Sequence, residues 1–197
     1  MTLRRWPLLP TLLVIAAVAT MIGLGVWQIA RSGEKNALLA RYAAAQGLPE
    51  IAFPTAKLTG DLPLYRRATG RCVRVVGWNA LAGEDRSGEP GYAHFADCST
   101  GAGSNMSVDA GWSKDPNAKS SWTGGTVSGL IAPDRKATLR LVSDAGLGGL
   151  AASAPPSPDS IPNNHLFYAA QWFFFAAAAL VIYVLALRKR LMAEDAR

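Results

Sequence analysis

The sequence predicts an α+β membrane protein in which two transmembrane helices flank an outward-facing, mainly antiparallel β domain. Three observations lead there. Each end of the chain carries an uncharged apolar run long enough to cross a bilayer, basic residues bracket those runs, and the stretch between them breaks into short segments separated by turn residues.

The first run, Pro7 to Trp27, defines a span at residues 7–27 behind an N-terminus, residues 1–6, that bears Arg4 and Arg5. Ala17-Val18-Ala19 offers the small-residue pattern of a cleaved secretory signal. The apolar run continues past that point, exceeds the length of a signal core, and closes in Trp27, Arg31 and Lys35, an aromatic and basic belt suited to an anchored helix. The second run has no charge from Leu166 to Leu187, and its 22 residues cover about 33 Å, enough for the hydrocarbon core. Arg188, Lys189 and Arg190 end this span, residues 166–187, and open a basic tail, residues 188–197. With Arg4 and Arg5 at the other end, the positive-inside bias puts both termini in the cytoplasm and the middle outside.

Between the spans lie residues 28–161, about 135 residues, room for one modest domain. The net charge of +6 divides evenly, +2 before the first span, +2 across the middle and +2 after the second. The middle sets 14 Lys and Arg against 12 Asp and Glu, so no basic face for nucleic acid is indicated. The high isoelectric point reflects topology.

Glu34 to Gln46 keeps helical spacing at Leu38, Leu39, Tyr42 and Ala45, so the first helix is expected to continue out of the membrane and stop near Gly47-Leu48-Pro49. Strand signals follow at Arg71 to Asn79, Tyr92 to Asp97, Asn105 to Trp112, Thr126 to Ile131 and Lys136 to Val142. The third alternates most cleanly, with Met106, Val108, Ala110 and Trp112 on one face and Asn105, Ser107 and Asp109 on the other, the pattern of a half-buried antiparallel strand. Gly83 to Gly91, Gly101 to Ser104 and Lys114 to Asn117 carry turn chemistry. A compact sheet or small barrel is expected, with Gly146 to Pro162 an irregular linker back to the membrane.

Cys72 and Cys98 are the only cysteines. In an oxidising compartment they can close a loop worth about 3 to 4 kcal/mol, and two buried free thiols are the alternative. Their separation matches no metal motif. Hydrolytic and nucleotide-binding machinery is missing: the middle domain holds one histidine, His94, with no G-x-S-x-G, H-E-x-x-H, P-loop or G-x-G-x-x-G around it.

His165 stands where the second span meets water, and Ala169, Trp172, Ala176, Ala179 and Tyr183 follow it on one helical face, with Tyr168 beside them. Two readings stand open. Asn163, Asn164 and His165 can simply cap and anchor the helix. Alternatively, the His165 imidazole is an axial ligand to haem iron, with Tyr168 and Trp172 packing on the macrocycle and Ala169 and Ala176 leaving room for it. The first span offers a matching small-residue face in Ala16, Ala19, Gly23 and Trp27. Arg31 and Lys35 can meet haem propionates or snorkel to the interface.

Gly25-Val26-Trp27-Gln28-Ile29-Ala30-Arg31 with Lys35, and Pro162-Asn163-Asn164-His165-Leu166 with Tyr168-Ala169 and Trp172-Phe173, resemble the surfeit locus protein 1 family, assembly factors for cytochrome c oxidase. Val108-Asp109-Ala110-Gly111-Trp112 is similar to the family's V-N-R-G-W strand, with Asp109 for the usual Asn and Ala110 for the usual Arg. The resemblance implies a non-catalytic chaperone of respiratory chain biogenesis in the bacterial inner membrane. Such a protein binds haem a transiently, with His165 at the position of the family's haem-linked histidine. Its implied partners are the catalytic subunit of an aa-type oxidase, the enzymes of haem a biosynthesis, and membrane lipid. The alternative is a scaffold that docks nascent oxidase subunits and never holds haem.

Overall fold

The computed structural model describes residues 7–56, 58–101, 104–135 and 137–195. The N-terminal segment with Arg4 and Arg5, Ala102 and Gly103 of one expected turn, and Lys136 at the start of one expected strand lie outside the described residues. The chain forms two compact units, one of residues up to Leu38 and from Pro162, the other Leu39–Ile161.

The first unit is built on two helices, α1 (Leu8–Ala45) and α2 (His165–Asp195), each long and apolar enough to cross a membrane. Pro7 caps α1, its carbonyl accepting from Thr11 N–H at 3.0 Å, and Pro10 sits in the first turn, where no intrahelical donor is lost. The helix runs through the expected extension and tightens into successive i→i+3 bonds at Gln46, Gly47 and Leu48 before Pro49 forbids another turn.

The second unit is a mixed, mostly antiparallel seven-stranded sheet. Its strands are β1 (Ile51–Ala52), β2 (Arg67–Cys72), β3 (Arg74–Glu84), β4 (Pro90–Ser99), β5 (Asn105–Ser113), β6 (Gly125–Pro133) and β7 (Leu139–Ser143), in the order β1-β2-β6-β7-β5-β4-β3. Only β1 with β2 and β5 with β7 pair in parallel among them. The first expected strand, Arg71 to Asn79, is two: the ladder breaks at Val73, β2 pairing with β6 and β3 with β4. A run of strand-forming residues does not reveal a change of partner. The last expected strand begins late because Asp134 folds the chain back, accepting from Ala137 N–H and donating its own N–H to Thr138.

Three strands separate β2 from β4 in the sheet, yet Cys72 and Cys98 are joined by a disulfide with their Cα atoms 5.2 Å apart. Val73 N–H donates to Ser99 O and Val75 N–H to Thr123 O. The sheet is therefore curled until its two ends meet, and Ala68, Met106, Val108, Val127, Ile131 and Leu141 fill the interior.

Strand β5 is not half-buried. Every residue from Met106 to Trp112 is buried, including Ser107 and Asp109 on the face expected to meet water. The cover comes from the segment expected to be an irregular linker. Leu147 N–H donates to Ala110 O, Trp112 and Ala151 exchange both backbone bonds, and Ala154 N–H donates to Glu84 O. Residues 146–154 are thus a strap stitched onto β5, and its polar backbone groups are met by the sheet.

Candidate functional site

Beside Leu24 and Leu38, the less exposed positions of α1 in the first unit are Thr11, Val14, Val18, Met21, Gly25, Gln28, Ser32 and Lys35. They alternate by three and four residues, a heptad stripe. On α2 the same spacing selects His165, Ala169, Trp172, Ala176, Ala179 and Tyr183. The two stripes meet antiparallel: Thr11 shares a hydrogen bond with Tyr183, and Gln28 is bonded to His165. Gly25 lies against Phe173, whose ring would be 2.7 Å from a Cβ at that position. Residues between these pairs are packed by the facing helix, Ala169 and Ala176 to 3% and 4% exposure.

This geometry changes two expectations. The α1 face turned to α2 is not Ala16, Ala19, Gly23 and Trp27, all of which are exposed, Trp27 to 53%. In a helix apolar all round, hydrophobicity gives no contrast between faces, and the small residues mark the wrong one. Ala169 and Ala176 also leave no room for a macrocycle, because α1 already covers them.

The polar groups gather at one end of the helix pair. His165 is the first residue of α2, and its Nδ1 lies 2.7 Å from Gln28 Oε1. Eight residues farther along α1, Asn36 Oδ1 accepts from Asn163 Nδ2 at 2.7 Å, leaving Asn163 Oδ1 buried without a partner among the described residues. Ser32 is 3% exposed between these two bonds along α1, and Lys35 is half-buried on the same stripe.

Of the residues proposed from sequence, His165, Trp172 and Lys35 lie on the facing stripes. Trp27, Tyr168 and Arg31 do not: Tyr168 is 49% exposed, edge-on to Phe167, and Arg31 is paired with Glu34 at the surface. Trp172 stacks edge-on with Phe175, ring centroids 6.5 Å apart. Gln28 and Asn36 went unassigned in the sequence. The available signal was periodic, since Thr11, Gln28, Ser32 and Lys35 fall in one heptad register within an otherwise apolar run.

The second unit has its own buried polar chemistry. Asp109, 4% exposed on β5, accepts from Ser153 Oγ at 2.7 Å. Burial pushes its carboxyl up to about 6, against the opposing pull of the Ser153 bond, the Arg140 guanidinium and the Gly111 N–H. Arg140, on β7, lies 5.2 Å above the Phe95 ring and is close enough for its charge to act on the Asp109 carboxyl. Gly111 explains the glycine of the Val108 to Trp112 motif: its φ is 142°, and a Cβ there would sit 2.4 Å from Ala151 O on the strap. His94 is packed on β4 with Nε2 2.8 Å from Ser113 Oγ, beside a groove of about 460 Å³ bordered by Trp78 and Lys119. Among the described residues no group of three or more His, Cys, Asp or Glu side chains could hold a metal ion.

No curated protein matches the chain. The profile of the SURF1 family does, over residues 15–177, a range that takes in the Gln28–His165 bond, the curled sheet and the strap. On that match and this architecture, the chain is a membrane protein that belongs to the SURF1 family, a family of assembly factors associated with cytochrome c oxidase.

Proposed function

We propose that the chain binds haem a through His165 at the outer membrane interface and assists its insertion into the catalytic subunit of an aa-type cytochrome c oxidase. The observation that carries this reading is the bond from His165 to Gln28. With Gln28 Oε1 as the facing atom, an Nδ1–H tautomer would complete the bond and leave Nε2 a free lone pair, the state in which imidazole ligates a metal. Bound haem supplies an iron that takes an imidazole nitrogen and a flat apolar macrocycle that favours the lipid side of the interface. His165 would hold the iron, Tyr168 and Trp27 offer exposed aromatic surface at the same end of the helices, and Lys35 offers a cation for a propionate. Arg31 is less suited, being already paired with Glu34.

A single strong protein ligand suits a carrier, because the cargo must leave. In this reading the protein is non-catalytic, lies in the bacterial inner membrane with both termini cytoplasmic, and works with the enzymes of haem a biosynthesis. The test is the visible spectrum of detergent-purified protein coexpressed with those enzymes. Stoichiometric haem a in the parent and its loss in a folded His165→Ala variant are expected; an empty parent overturns the reading.

One observation favours the scaffold alternative. Strand β3 is an edge strand of 11 residues that leaves Val76, Trp78 and Leu81 exposed, a surface on which an oxidase subunit could dock. The two readings part at His165. Scaffolding survives replacement by Gln, whereas haem handling loses oxidase activity in a deletion strain complemented with His165→Gln.

A further inference from the structure

We propose that Gln28 is a positioning residue that fixes the tautomer of His165, holding the proton on Nδ1 so that Nε2 faces its ligand unprotonated. This rests on the haem reading for its purpose, and its first test needs no haem.

The argument starts from chemistry. A neutral imidazole carries its proton on either nitrogen, and the tautomer is set by the partner of the nitrogen that does not ligate. In water the Nε2–H form is the commoner of the two, so an interfacial histidine left to itself blocks the nitrogen that reaches farthest from its backbone. Here Gln28 Oε1 stands 2.7 Å from Nδ1. The bond joins two helices far apart in sequence, at facing heptad positions, with both side chains half-buried. Ligating histidines elsewhere rely on such an outer partner to fix ring orientation and raise basicity, and losing it costs about 10- to 100-fold in metal affinity.

The competing arrangement is as specific. Were the Gln28 amide turned to offer its NH₂ to Nδ1, the proton would be forced onto Nε2 and ligation blocked. Asn163 bonded to Asn36 clamps the chain just before His165 and limits the freedom of the ring to escape the glutamine.

The test uses full-length, haem-free protein in lipid bilayers at pH 8.5, with ¹⁵N-labelled histidine. The chain has two histidines, and a His94→Gln variant assigns their ring signals. The expected result is Nδ1–H for His165 in the parent and in Gln28→Glu, which keeps the acceptor, and a majority of Nε2–H in Gln28→Leu. A proton on Nε2 in the parent, or a tautomer unmoved by Gln28→Leu in a protein that still folds, overturns the proposal. If Gln28→Leu does not fold, the parent and Gln28→Glu spectra decide alone, since an acceptor-only side chain must keep Nδ1–H. Haem a copurification is then compared among the folded variants, with about a 10- to 100-fold weaker retention expected for Gln28→Leu. A parent that shows Nδ1–H and never retains haem a sinks the haem reading and leaves the Gln28 assignment standing.

Discussion

Asp109 shows how one side chain departs from its motif and what that costs. Its folded pKa of about 6 lies above the ordinary 3.8, so between those values the folded state holds a proton that the unfolded chain has released. The stability this confers is complete below pH 4, falls as pH rises through 6, and is gone above it, a change of about 3 kcal/mol. Asp109→Asn keeps an acceptor for Ser153 Oγ and removes the titration. We expect the parent's melting temperature in detergent to fall between pH 4 and pH 7 relative to the variant's, and the gap to be flat above pH 7. Parallel pH profiles would show that the carboxyl is not buried against the strap. His165 was singled out from sequence as the one imidazole beside an uncharged span, open to a capping or a ligating role. Gln28 was not, because its meaning lies in a partner 137 positions away.

At the scale of elements, what depends on local composition was readable and what depends on a partner was not. The uncharged runs give the helices, and the turn residues give most strand ends. The split at Val73 and the strap over β5 arise from pairings between distant segments, which no local pattern encodes. The helix stripes belong to the same class, and they make a sharp prediction. Ala169 is buried against α1 and Ala170, its neighbour, is exposed. Ala169→Leu therefore overpacks the helix pair at a cost of about 1 to 3 kcal/mol, whereas Ala170→Leu adds only outward-facing surface. With cysteines at the bonded positions Thr11 and Tyr183, crosslinking should fall several-fold in the first variant and hold in the second. Equal yields would remove the heptad register. In the sheet, the disulfide ties strands separated by three others, and reduction should lower stability by about 3 kcal/mol, read as an earlier thermal transition in dithiothreitol.

For the whole molecule, the proposed orientation, with both termini cytoplasmic, rests on two features. Basic residues lie at both chain ends beyond the apolar runs, which favours cytoplasmic termini. The disulfide lies between the runs, and such a bond persists in an oxidising compartment. Orientation matters to the proposed function because His165 opens α2 and Gln28 lies just past the first expected span, both on the middle-domain side of their apolar runs, so they reach the outer interface only if that domain is outside. Alkaline phosphatase inserted at the β3–β4 tip, between Ser87 and Gly88, should be active, since the site is an exposed hairpin loop. The same enzyme fused after Arg197 should be inactive. In intact cells, Cys72 and Cys98 should resist a membrane-permeant maleimide until a reductant is added. The opposite orientation would reverse both fusions and leave two labelled thiols, and it would place the His165 imidazole at the cytoplasmic interface, against the proposed route of haem delivery.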